Sequence, residues 1–342
     1  MRKIGGLFNY EPSKPIENGY FSRICSPSDD LAFNMSGRCA MYYCLQDIAL
    51  HDTRKVAYVP LYTCETVLAP FEKAGYQLKF YELDKDLHSI FDTSVIDEIS
   101  VLSLCGYYGF CNYDHDFVKA CKEKGVVIFE DVTHSMLSAD GIDPLCDYFA
   151  GSFRIWMGVD CGVFAVKRNG TFETPLLPVE STHLEQRKEY YKTGDGDVFW
   201  EGEMRLRQMF ESFSSDDNSE YLLRHADFDS ICKARRENYA ALLDALTAPL
   251  HGVQVVFPEL PEATVPSHFC LYAENRDEFQ QYLTDHQIRS IVYWPVGPLV
   301  HPLPDSSEQY IYDHIVSIPC DQRFTPSDMQ YVAQVLMDYS KS

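Results

Sequence analysis

The run Glu130-Asp131-Val132-Thr133-His134 puts two carboxylates and an imidazole side by side. It follows directly on Val126-Val127-Ile128-Phe129, an apolar and mostly β-branched stretch that reads as a strand buried on both faces in mid-sheet. In open α/β sheets ligands bind beyond the carboxyl ends of the strands, so Asp131 and His134 stand where a carboxylate and an imidazole could hold or move a proton. A solvated strand end with a helix-capping Asp or Thr has the same local pattern. A second run, Ser36-Gly37-Arg38, precedes the helical apolar face of Ala40, Tyr43 and Leu45. A helix N-terminus offers free amide hydrogens and the positive end of a dipole, so it could hold a phosphate, with Arg38 as a charged partner. A plain N-cap would read the same way.

The elements that must position these residues alternate in type. Val56–Pro60 reads as a short buried strand, followed by Leu61-Tyr62-Thr63-Cys64 and a helix through Leu68, Phe71 and Ala74. Strands are expected at Leu78–Leu83 and Ile99–Leu104, a helix over about 117–124, and the strand ending at Glu130 after it. Beyond Gly151-Ser152-Phe153-Arg154-Ile155-Trp156, a tight Gly turn introduces a strand at Val163–Val166. This alternation predicts a doubly wound, mostly parallel α/β sheet. Residues 180–225 are strongly polar, with Lys192–Asp197 expected as an exposed loop. A helical pattern follows over Ile231–Leu246, with Arg235, Arg236 and Asn238 near its start. Then come strands at Val253–Phe257, Phe269–Ala273 and Ser290–Trp294, helices near Asp277–His286 and Ser327–Tyr339, and no internal repeat. The expected organisation is an irregular arm over 1–30, a large α/β domain over 31–225 and a small C-terminal α+β domain over 226–342.

Composition narrows the class of protein. A chain of 342 residues is long enough for two domains. The formal net charge of −22 argues against nucleic acid or an anionic membrane as partner, since both are polyanions. It leaves room for a small phosphate-bearing ligand held by local amides and Arg. No run approaches the ~20 apolar residues of a membrane span, and no basic start followed by an apolar stretch reads as a signal peptide. The 12 cysteines occur singly, without a CxxC pair or a His pair at zinc spacing, so no metal site is expected and a reduced, cytoplasmic setting fits. Cys44, Cys105 and Cys121 lie among apolar residues and read as small core residues.

In order, Ser36-Gly37-Arg38, Val59-Pro60 with Thr63 and Cys64, Tyr107-Tyr108-Gly109, Glu130–Ser135, Gly151-Ser152-Phe153-Arg154 and Ile318-Pro319-Cys320-Asp321-Gln322-Arg323 resemble the DegT/DnrJ sugar aminotransferases. These are fold-type I enzymes that use pyridoxal phosphate. The resemblance covers the chain from about residue 30 onward and rests on the order of individually loose motifs. It implies that Asp131 pairs with the pyridine nitrogen and keeps the ring protonated, so that it can accept electrons. It places His134 beside the ring hydroxyl, puts Ser36, Gly37, Arg38 and Ser152 around the phosphate, and sets Cys64 where the family stacks a residue on the ring. It also implies a homodimer, with 180–225 reaching toward the partner.

One residue departs from the pattern. Where these relatives have Lys before Trp, this chain has Ile155 before Trp156. That lysine normally bonds the cofactor and then carries the proton, and an isoleucine can do neither. Lys167 and Lys192 have no obvious route to the ring, which leaves His134, His88 or a partner residue as candidates for a base. The resemblance therefore implies a divergent member that holds pyridoxal or pyridoxamine phosphate noncovalently and acts on a keto- or amino-sugar. The alternatives are a non-catalytic homologue that binds a ligand or regulates a partner, and a conventional transaminase with an unrecognised lysine. Tyr293-Trp294-Pro295 could form a pocket wall or simply core.

Overall fold

A computed structural model describes residues 3–9 and 15–340. Its larger sheet contains, in chain order, β1 (Asp30–Asn34), β2 (Val56–Pro60), β3 (Gln77–Leu83), β4 (Ser89–Ile90), β5 (Val101–Cys105), β6 (Val127–Asp131), β7 (Tyr148–Ser152) and β8 (Val163–Lys167). Their order across the sheet is β1-β8-β7-β6-β5-β2-β3-β4. The five central strands, β7 through β3, pair in parallel, while β8 and β4 run against them and β1 pairs antiparallel with β8 at the edge. Parallel strands need helical crossovers that cover both faces, which is why β5 is buried throughout and β6 along most of its length. The doubly wound α/β fold read from the sequence is the fold observed, with β6 near the middle of the sheet.

Helix Gly37–His51 packs on β7 and β8, and Ala40, Tyr43 and Leu45, the apolar face its spacing marked out, are all buried. Ser36 caps it, its hydroxyl accepting the N–H of Cys39 at 3.3 Å. The turn into β8 needs Gly162, whose φ is +59° and where a Cβ would sit 2.2 Å from Val159 Cγ1.

The rest of the chain builds a second, three-stranded antiparallel sheet from β9 (Val253–Val255), β10 (Phe269–Ala273) and β11 (Ile315–Ile318), in the order β11-β10-β9. Helix Phe228–Ala245 and the last helix, Pro326–Tyr339, pack on each other. The last helix opens with a capping box in which Thr325 and Asp328 exchange hydrogen bonds.

Three local expectations differ from what is observed. Ser290–Trp294 contributes one isolated bridge, Ile291 to Ser317, rather than a strand, and Trp294 turns instead into a cluster with Tyr62, Tyr107 and Tyr108. The polar stretch 180–225 forms helices at Thr182–Thr193, Gly196–Gln208 and Asp217–His225, stabilised by capping aspartates and charged pairs that a reading of hydrophobic period does not register. The opening arm is partly regular: Ile4 bridges Ile288, and Tyr20–Ile24 is helical with Tyr20 and Phe21 buried. Residues 1–2 and 10–14 of that arm lie outside the described residues.

Candidate active site

The carboxyl ends of β6 and β7, the start of helix Gly37–His51 and the loop after β2 converge on one cavity of about 250 Å³. Ser36, Gly37 and Arg38 line it from the helix start, and Cys64 from the cap of helix Glu65–Lys73. Asp131 and His134 line it from the end of β6, and Ser152 and Ile155 from the end of β7. Residues far apart in sequence thus share one wall system, because parallel strands put all their carboxyl ends on one edge. A second cavity of about 390 Å³ adjoins the first, and the two share Ser152, Arg154, Ile155, Glu203 and Tyr293.

Asp131 is the last residue of β6 and its donors are the backbone N–H of Thr133, at 3.0 Å, and the Thr133 hydroxyl. Burial pushes its carboxyl above the usual range, only partly offset by those donors. Among the described residues it has no cationic partner. A carboxylate in that position favours a ligand that brings a proton or a positive charge.

The same cavity carries the complementary charge. Arg38 and Arg207 both line it, and neither forms an ion pair among the described residues. Burial draws the Arg38 guanidinium below its ordinary value, and the neighbouring Arg207 adds to the effect. Together with the capped helix N-terminus, these two side chains form a cradle for an anion. Arg154 is instead neutralised by Glu203, which also takes Arg187 at 2.8 Å. Burial alone would raise the Glu203 carboxyl, but Arg154 and Arg187 outweigh it and hold it below the usual range.

His134 is 5% exposed, and its Nδ1 lies 3.0 Å from the Ser267 hydroxyl. Burial, reinforced by the Arg235 charge, pulls its pKa down to about 3, so its ring is neutral in any physiological buffer. Arg235 is itself fully buried. It donates to the carbonyls of Ser267 at 2.8 Å, Ile155 at 3.3 Å and Trp156 at 3.2 Å, and to Gln322 at 3.0 Å. This one side chain fastens the segment carrying Ile155 to the segment carrying Ser267, with its guanidinium 4.5 Å from the Trp156 ring centre.

Ile155 is half-buried and lines both cavities. Among the described residues, no lysine lines either of them. Lys167 pairs with buried Asp47 at 2.6 Å, Lys192 lies 3.8 Å from Glu189 on the surface, and His88 sits in an exposed cluster with Asp84 and Asp86. None of these three reaches the cavity. Residues that sequence reasoning did not single out are Glu203 and Arg207, from the unforeseen helix Gly196–Gln208, and Ser267 and His268 ahead of β10. Only the arginines and the capping Asp195 of that helix could have signalled it. Tyr293 and Trp294, read as wall or core, line the cavity.

No protein-family model matches the sequence, and no curated protein matches it. Solved structures do match the fold. Helicobacter pylori PseC, an aminotransferase involved in the biosynthesis of pseudoaminic acid, is 12% identical with a TM-score of 0.70, over 99% of this chain and 100% of that one. The sugar aminotransferase CalS13 from Micromonospora echinospora is 15% identical with a TM-score of 0.65, over 97% and 93%. A DegT DnrJ EryC1 StrS aminotransferase from Brucella abortus is 16% identical with a TM-score of 0.66, over 92% and 86%. The resemblance drawn from the motifs holds at the level of the fold: this chain has the architecture of the DegT/DnrJ-type sugar aminotransferases.

Proposed function

We propose that this protein binds pyridoxal or pyridoxamine phosphate without a covalent bond and uses it on a keto- or amino-sugar. The observation that carries the reading is Asp131: a half-buried carboxyl that, among the described residues, has no cationic partner, in a cavity also lined by Arg38 and Arg207, which form no ion pair, and by no described lysine. That donor set fits a small molecule with a phosphate at one end and a basic ring nitrogen at the other. When bound, such a group supplies an electron-withdrawing ring and an exchangeable amine. Ser36, the amides that follow it, Arg38, Arg207 and Ser152 would hold the phosphate. Asp131 would keep a proton on the ring nitrogen. His134, neutral and fixed by Ser267, would hydrogen-bond to the ring's polar edge. Ile155 supplies apolar contact and neither nucleophile nor base.

The division near residue 225 belongs to the same reading: 31–225 supplies the phosphate cradle and Asp131, and 226–342 supplies Tyr293 and Trp294. So does a homodimer. Trp200 and Met204 are 49% and 51% exposed on the helix that also brings Glu203 and Arg207 to the cavity, and a second copy would cover them.

The deciding experiment is an absorbance titration of the purified protein with each cofactor form, followed by borohydride and mass spectrometry. Saturable binding with no adduct on the chain is expected, and a borohydride-stable adduct on any lysine would restore the conventional transaminase. Ile155 itself favours a second reading, a non-catalytic protein that keeps the pocket as a binding site. Binding of both cofactor forms with no spectral change on adding amino- or keto-sugars would establish it.

A further inference from the structure

Behind the cavity runs a continuous line of hydrogen bonds. Tyr293 Oη lies 2.9 Å from His268 Nε2, His268 Nδ1 lies 3.3 Å from Ser267 Oγ, and Ser267 Oγ lies 3.0 Å from His134 Nδ1. Both ends, His134 and Tyr293, line the cavity; Ser267 between them is fully buried, and His268, 5% exposed, borders the second cavity. We propose that Tyr293, His268, Ser267 and His134 form a proton wire that carries a proton between two points of the cavity, the task for which position 155 has no group. What the wire serves rests on the cofactor reading above, but its existence does not.

Donor counting limits how the four groups can be protonated. A neutral imidazole has one donor and one acceptor nitrogen, and a serine hydroxyl has one donor. If Tyr293 donates to His268 Nε2, then His268 Nδ1–H donates to Ser267 Oγ, Ser267 O–H donates to His134 Nδ1, and His134 keeps its proton on Nε2. If Tyr293 accepts instead, every bond reverses: His134 carries its proton on Nδ1 and leaves Nε2 as a base toward the cavity. Only these two arrangements run all three bonds in one direction; a third, with Ser267 accepting from both Nδ1–H groups, gives both histidines the same tautomer and interrupts the line.

Conversion between them is a balanced relay. Nε2 of His134 uses its lone pair to take a proton from the cavity, and Nδ1 gives its own to Ser267 Oγ. Ser267 gives its proton to His268 Nδ1, His268 Nε2–H passes to Tyr293 Oη, and Tyr293 releases its original proton into the cavity. One proton enters, one leaves, and no residue ends with a changed charge. Burial favours such a route: it depresses both imidazoles below their ordinary value, with Arg235 adding to the effect, and raises the Tyr293 phenol.

The scaffold fixes the geometry from the main chain. Ser267 N–H donates to the Tyr108 carbonyl at 2.8 Å, and its own carbonyl accepts from Arg235 at 2.8 Å. The Tyr108 carbonyl is aimed by two successive left-handed residues, Tyr108 at φ 58° and Gly109 at φ 110°. A Cβ on Gly109 would meet the Val265 carbonyl at 2.2 Å, so that turn accepts only glycine. Because both bonds use the Ser267 backbone, Ser267→Ala removes the hydroxyl and leaves the anchor. Ser267 is thus a positioning residue.

The test begins on the ligand-free, full-length chain, where long-range proton–nitrogen NMR with labelled histidine reads each tautomer. His134 and His268 should both be neutral at pH 7 and carry opposite tautomers, one Nδ1–H and the other Nε2–H. The same tautomer on both, or a protonated ring on either, overturns the wire. Ser267→Ala should uncouple the two tautomers and Ser267→Thr should restore the coupling. With cofactor at saturation for each protein, Ser267→Ala and Tyr293→Phe should each slow exchange of substrate hydrogen with solvent by about a hundredfold. Unaltered exchange would remove the wire from the chemistry. A protein that takes up neither cofactor form would defeat the functional reading, while the tautomers would still decide the wire.

Discussion

Ile155→Lys puts an amine at the position where the motif resemblance implies a lysine, so its outcome separates altered geometry from altered chemistry. The wild-type side chain is half-buried, and losing its apolar contacts costs about 1 kcal/mol, part of which the methylene stem of lysine recovers. The amine costs more. It would stand near Arg154 and near Arg235, whose guanidinium bonds the residue-155 carbonyl at 3.3 Å. A pKa lowered by about two from the ordinary lysine value costs roughly 3 kcal/mol. The sum, about 3–4 kcal/mol, is less than the 5–15 kcal/mol typical of a folded domain, so the variant should fold. The depressed pKa also favours the neutral amine that attacks an aldehyde, and covalent attachment should rise with pH until that amine is fully deprotonated. The assay is borohydride reduction after saturation with pyridoxal phosphate, followed by peptide mass spectrometry at position 155, with urea unfolding as the control for folding. A folded variant that binds the cofactor and yields no adduct at 155 would refute the placement of this residue beside the reactive carbon and leave the non-catalytic reading ahead.

Three further outcomes follow from the same geometry. Arg235→Leu removes the donor from three carbonyls, those of Ser267, Ile155 and Trp156, and should destabilise the chain by about 3–5 kcal/mol in urea unfolding; a loss below about 1 kcal/mol would mean the segments are held by other contacts. Glu130, fully buried against the Tyr113 hydroxyl and the Asp143 N–H, has its carboxyl raised to about 8 by burial. A raised folded pKa stabilises below the unfolded value near 4.5 and loses that contribution as pH climbs through 8. The wild type should therefore weaken between those limits by up to about 1.4 kcal/mol per pH unit, and Glu130→Gln should flatten the curve; parallel unfolding curves from pH 5 to 8 would contradict this. Arg38→Ala and Arg207→Ala should each weaken pyridoxal phosphate by roughly tenfold or more, the worth of a charged hydrogen bond, without affecting pyridoxal; equal losses for both molecules in a fluorescence titration would remove these arginines from the phosphate.

The features legible in the chain itself are local ones. Apolar, β-branched runs such as Val126–Phe129 must bury both faces, the Ser36-Gly37 start and the apolar spacing after it specify one helix, and the alternation of such runs leaves few topologies besides a parallel sheet. Once the sheet is parallel, Asp131 and Ser152 share an edge, and the cavity that gathers them with Ser36, Arg38, Cys64, His134 and Ile155 follows. The remaining features exist only in the folded molecule. Glu203 and Arg207 reach the cavity because a polar helix, seated by its cap, by Phe199, Gly202 and Leu206 and by the ion pairs of Glu203, lies against it. Trp294 leaves the strand its neighbours suggested because a pocket of tyrosines buries more of it. Ser267 contacts His134 across 133 positions, and Arg235 holds Ile155 across 80. Periodicity and capping act within a few residues of chain, whereas contacts like these depend on how far every intervening element turns.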